Sequence, residues 1–160
     1  MVTGKSILGQ WVGDPQRVWL WNGEDPRDEL ALRVQAVCQH YGLSQHDLGD
    51  RLFLDSGREQ SLCVAITERN GTTIIRPVMD ELVGEIRSKR IDVLIIDPFV
   101  SSHHASENDN TAMDMIAKEW GRVADQTGIA VELVHHTRKQ GDVEITAESS
   151  RGGKALIDAA

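Results

Sequence analysis

Ile91-Asp-Val-Leu-Ile-Ile-Asp-Pro98 is the stretch that decides the fold. Its centre, Val93–Ile96, is aliphatic without polar alternation, and Pro98 ends the run. A strand of that kind suits a parallel sheet whose two faces are both covered. Outside it the apolar period changes. Pro77–Arg90 carries Val78, Leu82 and Ile86 on one helical face. Thr111–Gln126 does the same with Met115, Ile116, Trp120 and Val123, and Gly128 follows as a stop. Ala130–His135 (AVELVH) is a second apolar strand.

Further upstream, Arg17–Gly23 (RVWLWNG) reads as a strand and Pro26–Tyr41 as a helix. Pro26 suits a first helical turn, Asp28 and Glu29 suit the positive amino end, and Leu30, Val34, Val37 and Cys38 form an apolar stripe. Arg51–Asp55 is a short strand, and Leu62–Ile75 holds two β-rich runs around Asn70-Gly71, a hairpin signal. Strands separated by helices imply right-handed crossovers in a mostly parallel sheet. The expected class is α/β, a three-layer sandwich.

Composition narrows the functional classes. A chain of 160 residues suits one domain. The apolar runs are far shorter than the ~20 residues a spanning helix needs. No basic segment followed by an apolar stretch suggests secretion. Cys38 and Cys63 lie on apolar faces with no CxxC, which reads as buried free thiols of a reducing cytoplasm. A net charge of −8 disfavours diffuse adhesion to nucleic acid, so such a contact must be local.

In open α/β sheets chemistry gathers at the carboxyl ends of the strands. Here those ends read Glu24-Asp25, Asp97-Pro98 and His135-His136. Asp97 ends an apolar strand in the Walker B manner, where a rigid carboxylate orients Mg²⁺ or its waters beside nucleotide phosphates. Glu24 could align and deprotonate a water, or could be a solvated neighbour of the Asp25 cap. His136 could report a γ-phosphate by hydrogen bonding, with His135 as the neighbouring alternative. Gly4-Lys5-Ser6 invites a phosphate-loop reading, but the G-x-x-x-x-G-K-[ST] pattern needs a preceding strand, an earlier glycine and a following helix. None of these is present, so the segment reads as coil leading into the first strand.

Taken together these motifs resemble a known family, the RecA-like ATPase core of RepA-type hexameric replicative helicases, AAA family members of the P-loop NTPase superfamily. The resemblance runs from about Thr3 to Ala160. It is carried by Val18–Val34, Ile91–Asp114, Lys118–Gly128, Val131–Lys139 and Ser150–Ala160. It implies ATP and Mg²⁺ as cofactors, Glu24 as the catalytic carboxylate, Asp97 as the Mg²⁺ aspartate and His136 as the sensor. It also implies that Arg138, Lys139 and Arg151, in and beside the loop 138–150, touch single-stranded DNA in the channel of a homo-oligomeric ring. The expected domain is one partial RecA-like unit, 1–160, cut at both ends, without its first strand, P-loop and first helix. Such a chain is expected to be cytoplasmic and inactive as an ATPase by itself.

Other readings compete. Asp97 and Glu24 with the histidines at 103, 104, 135 and 136 could form a metal-dependent, two-metal hydrolase site, although no zinc spacing is present. The chain could instead be a non-catalytic ring subunit. Ser106–Asn110 (SENDN) resembles a Ca²⁺ loop but reads better as a loop capping the helix at Thr111. Trp19 and Trp21 could stack on bases, but their alternation favours packing under a helix. Arg87–Arg90 reads as a helix end whose cations complement the dipole.

Overall fold

The computed structural model describes residues 1–6, 9–11 and 13–135. Four parallel strands form its main sheet: β1 (Val18–Asn22), β2 (Leu52–Ser56), β5 (Val93–Asp97) and β6 (Ala130–Leu133), in the order β2-β1-β5-β6. A separate antiparallel hairpin, β3 (Ala65–Glu68) and β4 (Gly71–Ile74), precedes β5. The helices are α1 (Arg27–His40), the single turn α2 (Gln45–Leu48), α3 (Arg76–Lys89) and α4 (Asn110–Thr127). The α/β class and the parallel sheet expected from the sequence are present.

Crossover handedness fixes the layers. From the central pair β1 and β5, the chain runs outward through α1 to β2 on one side and through α4 to β6 on the other. Right-handed connections in opposite directions put α1 on one face and α4 on the other, with α3 beside α4. The core lies on the α3–α4 face. Trp19 and Trp21 of β1 pair in register with Leu94 and Ile96 of β5 and are all but fully buried beneath Met79, Leu82, Ile86, Ile116 and Trp120. The tryptophans are therefore packing residues, and their indole N–H groups bond Asp55 and the Gln60 carbonyl.

The opposite face is less covered than the continuous apolar runs suggest. Val93 and Ile95 are half-buried, and Ala130 and Glu132 of the edge strand β6 are exposed. On α1 only Leu30 is fully buried, while Val37 is 47% and Leu32 60% exposed. Its expected apolar stripe is thus mostly half-open among the described residues. Both cysteines are free and half-buried rather than enclosed.

Local signals act near their predicted positions. Asp109 caps α4 by accepting from the Thr111 and Ala112 N–H groups, a contribution of about 1 kcal/mol in such helices. Gly128 ends α4 with φ 72°. The hairpin turn is shifted by one residue. Arg69 and Asn70 form the connection, and Gly71 takes the positive φ of 117° that a side chain would resist. Pro26 is the residue flanking α1 and not its first turn.

Buried polar groups add a pH dependence. The His103 imidazole is buried, accepts from the Ala105 N–H through Nδ1, and packs edge-on against Phe99. Burial pushes it below the ordinary histidine value, against the opposing pull of Glu107. The fold favours the neutral ring, whereas the unfolded chain takes up a proton near the usual value of about 6.5. This part of the stability is therefore complete above that pH and is lost as pH falls below it. Urea midpoints at pH 7.5 and 5.5 should differ, the lower pH being less stable, and His103→Phe should narrow the gap.

Candidate functional site

The β1–β5 pair is where the chain's outward directions reverse. In open parallel sheets a crevice opens outside the carboxyl ends at such a switch point, and ligands bind there. Two sequence-predicted residues flank it. Asp97 is the last residue of β5, in register with Asn22, and the two strand ends are joined by the Gly23 N–H donating to the Asp97 carbonyl at 2.8 Å. Glu24 follows Gly23 in the turn after the neighbouring strand β1. Asp97 is half-buried and Glu24 exposed. Among the described residues neither carboxylate has a hydrogen-bonding or ionic partner. Both are thus available to a ligand.

The turn that presents Glu24 is held from several sides. The buried Asn22 side chain accepts from the N–H groups of Glu24 and Asp25 at 3.0 and 2.8 Å. From the end of β2, the Ser56 hydroxyl donates to the Asp25 carbonyl, and Arg58 Nε donates to the Glu24 carbonyl, each at 2.6 Å. The Gly57 N–H donates to the Asn22 carbonyl at 2.7 Å. The glycines permit this close packing: a Cβ on Gly23 would sit 2.4 Å from the Ser101 Cβ, and one on Gly57 would sit 2.8 Å from the Gly23 Cα. Asp25, unlike Glu24, is paired, with Arg33 2.6 Å off.

Asn22, Ser56 and Arg58 were missed in the sequence. An asparagine before glycine bonding its own backbone two residues on is a local signal that could have been found. The Ser56 and Arg58 contacts depend on strand order, which no local pattern encodes.

The remaining assignments divide. His136, Arg138, Lys139 and Arg151 lie outside the described residues. His135 lies within them: it faces Glu107, with Nε2 3.7 Å from the carboxylate, and it packs on Phe99. It continues the β6 face that carries Val131 and Leu133 to the core, opposite to Asp97. Lys5 pairs with Asp47 and not with any group at the crevice, and Gly4 closes a turn onto the Met1 carbonyl. The GKS segment is thus tied to α2. His103 and His104 belong to the segment that pairs with β3, through the His104 N–H to the Ala65 carbonyl.

The donor set tests what the crevice can hold. Among the described residues no three His, Cys, Asp or Glu groups converge on one ion position. A single half-buried carboxylate fits Mg²⁺, which keeps its waters and takes phosphate oxygens in place of an all-protein cage. Asp97 would hold such an ion, directly or through water. Glu24 would accept a proton from a water.

A family model described as AAA domain matches residues 1–142. No curated protein matches the chain.

Proposed function

The chain belongs to the AAA domain family, and on that premise we propose that it is the core of a RepA-type, RecA-like ATPase that couples Mg²⁺-dependent ATP hydrolysis to work on single-stranded DNA in replication. The observation that carries this reading is the pair of carboxylates, Glu24 and Asp97, at the carboxyl ends of adjacent parallel strands at the switch point, both without a partner among the described residues. Bound Mg²⁺-ATP would supply the phosphoryl group and its neutralising charge. Asp97 orients the ion. Glu24, fixed by the Asn22 and Arg58 bonds to its backbone, holds a water and takes its proton. His136 serves as the sensor of the terminal phosphate, since His135 is committed to Glu107 and Phe99.

The phosphate-binding loop is, in this reading, provided from outside the 160 residues, because Lys5 is bound to Asp47. The protein acts as a homo-oligomeric ring in the cytoplasm. No helix of the described residues is long and apolar enough to cross a membrane.

Arg138, Lys139 and Arg151 are the proposed DNA contacts. With a net charge of −8, a few local cations must carry the phosphate contacts. In a chain that includes the P-loop, single-stranded DNA should stimulate ATP turnover. Replacing Arg138 and Lys139 by alanine should weaken binding to all sequences alike. Neutralising about two fewer phosphates should flatten the logarithmic salt dependence by about 1.4 per subunit. Unchanged affinity and slope would remove this loop from the interface.

A further inference from the structure

On the α3 face of the sheet, β1, β5 and α3 border an open-mouthed cavity of about 130 Å³. Trp19 and Trp21 form one wall and Val78 and Leu82 the other. A dry cavity of about 150 Å³ accommodates a benzene-sized molecule, so this one is of single-ring size. Its charged lining has one sign. The indole donors of both tryptophans are already bonded, to Asp55 at 2.8 Å and to the Gln60 carbonyl at 3.1 Å. What the mouth offers instead is carboxylates: Asp55, Glu81 and Glu85.

The molecule itself shows how a cation is received on this wall. Lys89 Nζ lies 4.7 Å from the Trp19 ring centroid while bonding Glu85 at 2.7 Å. That lysine answers Glu85. Arg27 stands 3.9 Å from the Asp55 carboxylate, and Glu81 is exposed with no hydrogen bond or ion pair among the described residues. Lys89 answers Glu85 and covers the Trp19 ring, so the mouth retains the unpaired Glu81 carboxylate beside an apolar cavity, a setting that suits an ammonium on an apolar stem.

We propose that this cavity is a binding site for a small organic monocation, an ammonium on a short branched apolar stem. The stem lies against Trp19 and Trp21, and the ammonium sits at the mouth by Glu81. The site also adjoins the Glu24 turn: a Cβ on Gly23 would stand 3.0 Å from the Trp21 ring, so a shift of that ring is felt at the turn. The binding itself does not depend on the ATPase reading.

The test is a titration of the ¹⁵N-labelled chain with isopentylammonium and, separately, with its neutral isostere 3-methylbutan-1-ol, following the indole N–H signals of Trp19 and Trp21. The ammonium should give saturable shifts at both indoles, with the alcohol about tenfold weaker or more. Glu81→Gln, an exposed substitution, should weaken the ammonium by about threefold or more and leave the alcohol unchanged. Equal binding of the two probes, insensitivity to Glu81→Gln, or no saturable shift with the ammonium would each overturn the proposal.

Discussion

Glu24→Gln, in a chain that carries a P-loop ahead of these residues, should lower ATP turnover by about 10²–10⁴-fold, the usual contribution of a positioned general base. Nucleotide affinity should stay within about threefold. The separation of the two effects follows from where Glu24 stands. Its carboxylate is exposed and makes no hydrogen bond or ion pair among the described residues, so removing the charge leaves no buried group unpaired. The turn is held through backbone groups, by Asn22, Ser56 and Arg58, and glutamine leaves all of those bonds in place. What glutamine lacks is the ability to take a proton. Steady-state hydrolysis and equilibrium nucleotide binding, measured on the same preparation, check both halves. A rate within about threefold of wild type would reduce Glu24 to a solvated neighbour of the helix start.

Asp97→Asn should act on binding as well as on rate. A carboxylate at the end of a paired inner strand has little freedom, and that rigidity makes it useful for orienting a hydrated ion. Asparagine keeps the shape but loses the charge. If Asp97 acts on Mg²⁺ through water, affinity for the metal or activity should fall on the order of 10–100-fold, as for other outer-shell partners of metal sites. Nucleotide binding without Mg²⁺ should change little. Titrating Mg²⁺ into the chain at fixed nucleotide separates these cases, and equal Mg²⁺ dependence of wild type and variant would contradict the assignment. Asp97 pairs with the chain through its backbone carbonyl, so the substitution should leave the β1–β5 join intact.

The fold was legible where one local signal dominated. Val93–Ile96 and the α4 stripe around Ile116, Trp120 and Val123 are long enough to declare their period, and Asp109 and Gly128 bracket α4 as caps do. The α1 stripe misled in part: Val34, Val37 and Cys38 have helical spacing, but spacing alone does not supply a partner surface. Met115 is likewise 39% exposed despite its place in the predicted α4 face, where Met113 is buried instead. The hairpin slipped because Asn-Gly marks a turn without saying which residue takes the positive φ.

The site was half legible. Glu24 and Asp97 stand out because a charge ends each apolar run, and the register then brings the strand ends together. The polar frame around Glu24 was not legible, since Ser56 and Arg58 reach it only once β2 lies beside β1. His136 lies outside the described residues, and strand alternation bears on His135 alone. Val131 and Leu133 face the core, and His135 shares their side.

The central claim is that Glu24 activates water at a nucleotide that the site binds without it. One measurement isolates this step. Equimolar ATP, labelled at the α-phosphate, is mixed with the P-loop-bearing Glu24→Gln chain and Mg²⁺, and the bound nucleotide is identified after an acid quench. Intact ATP should remain in the complex after a time in which wild type has converted its bound nucleotide to ADP. Bound ADP in the variant, formed as fast as in wild type, would contradict it.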